Sequence, residues 1–231
     1  MDKKDILVDI NPKSLSAEAY RVLRTNIQFT NIDKTIKSIV ITSPGPGEGK
    51  STIIANLAIA LAHNSKKVIL IDTDLRKPNI HKLFGLDNIK GVTNVLSEDI
   101  EYVGIIQHTD IGNLDILVSG PIPPNPSELL GSNKIKLLLN ELKNEYDMVL
   151  FDSPPVCLVT DAAVLSTIAD GVILVCAVGQ TTIENAKSAK ALLSKVNANI
   201  LGTVLNKTVM RVDHYKKIGD YYSYYEGIKI R

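Results

Sequence analysis

Hydrophobic and polar positions along this chain switch period repeatedly. Short apolar runs at 38–42, 67–72, 114–118, 146–152, 171–177 and 200–206 are bounded by polar or turn residues, the pattern of strands buried on both faces. Between most of them apolar residues recur at helical spacing, which predicts helices over about 14–29, 50–64, 132–144, 160–168 and 181–196. Such alternation predicts an α/β fold with a mostly parallel sheet, helices on both faces and right-handed crossovers. The long connection after the second strand contains Gly91-Val92-Thr93-Asn94-Val95-Leu96, read as a short helix with covering loops. Further on, the prolines of 121–126 set a rigid turn before Ser127-Glu128-Leu129-Leu130 begins another helical turn. Apolar periodicity stops after Lys207, so the chain divides into one domain over 1–210 and a tail over 211–231, expected to be flexible.

Composition narrows the function classes. The 231 residues are 45% hydrophobic, enough for one substantial core, and nothing marks a second. A formal charge of +1 argues against nucleic-acid binding over a broad surface, which needs a marked basic excess. Cys157 and Cys176 lack metal-type spacing and read as reduced packing residues, while His63, His81, His108 and His214 form no cluster. The N-terminus lacks a signal-peptide core, and no apolar run approaches the roughly 18 residues of a spanning helix. The expectation is a cytoplasmic chain without direct membrane insertion.

Candidate chemistry begins where the first strand should become a helix. Gly45, Pro46, Gly47, Glu48, Gly49, Lys50, Ser51 and Thr52 form a glycine-rich turn ending in Gly-Lys-Ser, followed by apolar helical spacing. Glycine lets the backbone wrap a phosphate, Lys50 brings charge and Ser51 offers a hydroxyl to Mg2+. The usual P-loop spelling places a glycine where this chain has Pro44. Two acidic strand ends follow. Val68-Ile69-Leu70-Ile71 leads into Asp72, Asp74 and Arg76, and Met148-Val149-Leu150-Phe151 leads into Asp152. Helix capping is the simpler reading of either aspartate alone, but two acidic ends on one sheet edge after a phosphate loop point to a metal-nucleotide site for ATP and Mg2+. Arg76 reads as a phosphate contact or a carboxylate partner, and Asn206 occupies a position from which related folds read the base.

These segments resemble the Walker A, A′ and B motifs of the bacterial tyrosine kinases, in particular the separate cytoplasmic kinases of capsular and exopolysaccharide operons, the CpsD/CapB type. The resemblance covers almost the whole chain and extends to Glu18, Arg21 and Arg24, which match that family's E-x-x-R-x-x-R subunit-contact motif within the 14–29 helix; their three-residue spacing along one helical face also reads as pairing within the helix. It implies a P-loop NTPase-like fold and a protein-tyrosine autokinase using Lys50, Asp72, Asp74 and Asp152. Ser51, Asp74 and Asp152 would serve the metal, and Asp72 would receive the tyrosine proton. It also implies a ring-like homo-oligomer, a membrane adaptor that activates through its cytoplasmic segment and holds the kinase at the inner face of the membrane, and a cognate tyrosine phosphatase.

The tail supplies acceptors, since Tyr215, Tyr221, Tyr222, Tyr224 and Tyr225 are five of the eight tyrosines. Two other readings compete: a partitioning-type ATPase switch and a nucleotide-binding scaffold with a docking tail. Partitioning ATPases carry a lysine five residues before the loop lysine, where this chain has Gly45.

Overall fold

The strand segments carry apolar residues at successive positions, so each must be covered on both faces. A computed structural model describes residues 7–30, 35–98 and 100–208 and arranges them in that way. The strands are Ser38–Thr42 (β1), Val68–Asp72 (β2), Gln107–His108 (β3), Leu114–Leu117 (β4), Met148–Asp152 (β5), Gly171–Ala177 (β6) and Ile200–Asn206 (β7). They form one sheet in the order β3-β4-β2-β5-β1-β6-β7, parallel throughout except for the β3–β4 pair. The five tail tyrosines and the 211–231 tail lie outside the described residues.

The pleat sends alternate side chains to two cores. Ile39, Ile41, Leu70 and Leu150 face one side, covered by Leu15–Phe29 (α2) and Lys50–Ala62 (α3), with Leu7–Ile10 (α1) and Ile80–Phe84 (α4) beside them. Val40, Ile71, Val149 and Phe151 face the other, under Val92–Glu98 (α5), Pro126–Leu130 (α6), Asn133–Glu145 (α7), Asp161–Ser166 (α8) and Ile183–Lys195 (α9). Apart from its first residues α3 is buried all round, which its sequence, apolar there except for Asn56, requires. Each fully buried Leu or Ile there contributes about 1.5–3 kcal/mol. Leu57, with no exposed surface, is a position where truncation to Ala would cost about 2–5 kcal/mol.

Local signals fix the helix starts. Ser14 accepts from the Ala17 amide at the head of α2, and Thr182 accepts from the Asn185 amide at the head of α9. The expected elements are present, trimmed by a few residues at their ends. Four were not expected: α1, α4, the 3-10 turn Tyr102–Gly104 and the two-residue strand β3, all too short to register a period.

Candidate active site

The phosphate loop leaves β1 and turns into α3 through two left-handed glycines, Gly47 at φ 69° and Gly49 at φ 95°. Gly49 is required sterically as well, since a Cβ there would lie 2.1 Å from the Asn206 side-chain nitrogen. Three consecutive loop carbonyls are held from outside the loop. Gln180 Nε2 donates to Pro46 O at 2.7 Å, Lys207 Nζ to Gly47 O at 2.8 Å and Asn206 Nδ2 to Glu48 O at 2.9 Å. In a planar trans peptide the N–H points opposite to the C=O, so these braces turn the amides of Gly47, Glu48 and Gly49 the other way. Together with the N-terminus of a 13-residue helix, those amides suit a phosphate. Glu48 is an internal strut: it is buried, accepts from the Gly45 amide at 3.2 Å, and burial raises its carboxyl pKa.

Beside the loop, β2 and β5 end in register, with Asp72 opposite Asp152. The Asp152 carbonyl accepts from both the backbone amide and the hydroxyl of Thr73, which locks the two strand ends together. Asp152 Oδ2 accepts from Ser51 Oγ at 2.6 Å, whereas its buried Oδ1 has no partner among the described residues. Asp72 is fully buried, with Oδ2 accepting from the Asn79 and Ile80 amides at 2.9 and 3.0 Å and Oδ1 from the Asp74 amide at 3.3 Å. Asp74 is half-buried and accepts from the Lys77 amide at 3.0 Å.

All three carboxyls titrate above the ordinary range, chiefly because burial penalises the charged form. Burial pushes Asp152 up to about 7, against the pull of Lys50 and the Ser51 hydrogen bond, and the Asp152 charge raises Asp72 further. Among the described residues no three acidic, histidine or cysteine side chains form a ready cation cage. A cation such as Mg2+ is usually bound by one or two carboxylates plus phosphate oxygens. The orphaned Asp152 Oδ1 and the Ser51 hydroxyl are the donor pair present for it.

A cavity of about 600 Å3 opens above this edge. Pro46, Gly47, Gly49, Lys50, Ser51, Thr52, Asp74, Arg76 and Asn206 line it, bringing most of the expected site residues together. Gly45, Glu48, Asp72 and Asp152 are not among its lining residues, and the last three are buried. Arg76 combines both readings made of it: it lines the cavity, and its guanidinium donates to Asp161 Oδ2 at 3.2 Å and Ser127 Oγ at 2.9 Å.

Comparison with known proteins identifies what uses this arrangement. The AAA domain family, AAA_31, matches residues 36–209. Tyrosine-protein kinase YwqD of Bacillus subtilis (strain 168) is 47% identical over 204 residues, covering 88% of this chain and 86% of the relative. The chain belongs to the bacterial tyrosine-protein kinases. The crystal structure of the chimerical protein CapA2B2 matches this kinase at TM-score 0.87 and 41% identity, over 90% of this chain and 91% of that one. The kinase domain of Escherichia coli tyrosine kinase ETK matches at TM-score 0.83 and 32% identity, over 89% and 82%.

The expected subunit-contact residues of the kinase are engaged within the protomer. Arg21 pairs with Glu18 one turn away and donates to the Pro12 carbonyl, and Arg24 Nη1 reaches the Ala60 carbonyl on α3 at 2.9 Å. Sequence reasoning missed Gln180 and Lys207 as loop braces, and Asp161 and Ser127 as the anchor of Arg76. Gln180 and Lys207 lie just beyond the carboxyl ends of β6 and β7, the edge where ligands gather in open α/β sheets, and that placement was their available signal.

Proposed function

We propose that this kinase transfers the γ-phosphoryl group of ATP to tyrosines of its own tail, Tyr215, Tyr221, Tyr222, Tyr224 and Tyr225, presented by a neighbouring copy in a ring. The observation that carries this reading is the convergence of Lys50, Ser51, Asp74 and Arg76 on one cavity in a chain 47% identical to a named tyrosine kinase. Gly45, standing where partitioning ATPases have a lysine, favours it over the ATPase switch.

The tyrosine oxygen bonds to the γ-phosphorus, the bond from that phosphorus to the β-bridging oxygen breaks, and ADP leaves with the electron pair. The loop amides and Lys50 hold the phosphates in line. Ser51 and Asp152 would hold Mg2+, which would supply charge neutralisation on the phosphate oxygens. A tyrosine hydroxyl with a pKa near 10 gives up its proton more readily to a placed carboxylate. Resemblance assigned that proton to Asp72, yet Asp72 has its oxygens engaged by backbone amides and Asp74 lies at the cavity wall. In this arrangement the proton passes to Asp74, and Asp72 fixes the loop that carries it.

Glu18, Arg21 and Arg24 sit on α2, from which a head-to-tail contact would close a ring. Each phosphate adds nearly two negative charges to adjacent tyrosines, so phosphorylation loosens the ring and a tyrosine phosphatase resets it. No helix among the described residues is long and apolar enough to cross a membrane. In this reading a separate membrane adaptor brings the kinase to the inner face of the membrane, where it regulates capsular or exopolysaccharide polymerisation and export. A mixing experiment tests transfer between copies. A Lys50→Met chain with its tail intact serves as acceptor, and a chain lacking 215–225 serves as enzyme. Phosphotyrosine on the acceptor supports the proposal, and its absence with both present opposes it.

A further inference from the structure

The cavity holds cations besides Lys50. Arg76, Lys77, Lys82 and Lys207 line it too, and Lys207 is taken up by Gly47 and Gln180. Lys77 and Lys82 are exposed, and neither has an ion pair among those found in the described residues. Arg76, by contrast, is tied to the fully buried Asp161 and to Ser127, so part of this basic lining is fixed and part is free to meet an anion. The same cavity is lined by Pro154, Pro155, Val159 and Leu158, the last 64% exposed, apolar groups of the kind on which an aromatic ring packs.

Within the tail, the segment 220–226 reads Asp-Tyr-Tyr-Ser-Tyr-Tyr-Glu. It holds four of the proposed acceptors, closes at each end with a carboxylate, and contains no cation. Its ring-and-anion pattern complements a lining that is both apolar and basic.

Resting on the autokinase reading above, we infer that Lys77 and Lys82 form an acceptor-recognition subsite. It takes the anionic groups flanking the reacting tyrosine: first the Asp220 and Glu226 carboxylates, then the phosphate of a neighbouring tyrosine already modified. The four tyrosines form two adjacent pairs, Tyr221-Tyr222 and Tyr224-Tyr225, so the first transfer in each pair creates a phosphate directly beside the second acceptor. A phosphate carries more charge than a carboxylate and three acceptor oxygens, so the subsite gives successive rather than random modification.

The test uses the full chain with its five tail tyrosines changed to Phe, loaded with Mg·ADP, and fluorescent peptides read by anisotropy. The probes are DYYSYYE, its neutral form NYYSYYQ, and DYYSYYE with one phosphotyrosine. Two exposed charge contacts predict that Lys77→Ala/Lys82→Ala weakens DYYSYYE binding about five- to tenfold. The same variant should lose more of the phosphopeptide's affinity and leave NYYSYYQ and ADP binding unchanged. Lys77→Glu/Lys82→Glu should reverse the preference towards KYYSYYK. Equal binding of acidic and neutral peptides by the parent chain, or equal losses for both in the alanine variant, would overturn the inference. Transfer of phosphate from ATP to the peptides, measured in parallel, separates the two claims. Transfer without charge preference leaves the kinase standing and removes the subsite. Charge-selective binding without any transfer keeps the subsite and refutes the kinase.

Discussion

Replacing Asp152 with Asn should make the metal-free protein more stable at pH 8 while destroying its chemistry. Burial raises the Asp152 carboxyl from 3.8 to about 7, so the folded state holds a proton that the unfolded chain releases near pH 4. A carboxyl raised in the fold contributes stability at low pH, and that contribution is lost as pH rises from about 4 through about 7. A shift of about three units corresponds to about 4 kcal/mol, and since Asp72 and Asp74 share the same field, about 2–4 kcal/mol is the working expectation. The substituted amide keeps the shape and the Ser51 contact without the charge. Urea denaturation in EDTA should therefore show the variant more stable than the parent by that amount at pH 8, converging with it below about pH 4 at an unchanged m-value. Added Mg·ADP should stabilise the parent strongly and the variant little. If Asp152→Asn were destabilising by a similar amount at both pH values, the carboxylate would be a packing group and the metal assignment would fall.

Three further outcomes follow from individual contacts. Gly49→Ala forces a side chain into φ 95° and against Asn206, costing about 2–3 kcal/mol from backbone strain and a lost hydrogen bond; adding Asn206→Ala should recover the steric part, and a thermal-melt double-mutant cycle showing simple additivity would refute the clash. Asp74→Asn should stop transfer with near-parental melting, whereas Asp72→Ala should lower melting by about 2–8 °C for the loss of about 1–2 kcal/mol of amide contacts at α4, and the opposite pattern would return the proton to Asp72. Arg24→Ala should cost about 1–2 kcal/mol in urea unfolding through its bond to Ala60, and a changed oligomer by light scattering with unchanged unfolding would make the arginine purely an intersubunit group.

Six of the seven strands, the four long helices and the six-residue α8 were legible because apolar period is set by which face a residue buries. β3 pairs through only two residues, and α4 depends on Asp72, a residue eight positions upstream of Ile80 whose carboxylate receives its first amides. The site's named residues were legible because phosphate and cation impose residue types at fixed spacing. Its supports were not: Gln180 reaches back to Pro46 and Lys207 to Gly47, contacts that no local pattern encodes. For the same reason the sequence could pair Glu18 with Arg21, while Arg24's grip on α3 required the packed structure.

The most direct test of the central claim is to incubate the purified full chain with Mg2+ and γ-labelled ATP, alone and with an adaptor's cytoplasmic segment, and to map the label by mass spectrometry. The account predicts phosphotyrosine within 215–225 and its loss in Lys50→Met. Release of free phosphate with no phosphotyrosine under either condition would contradict it.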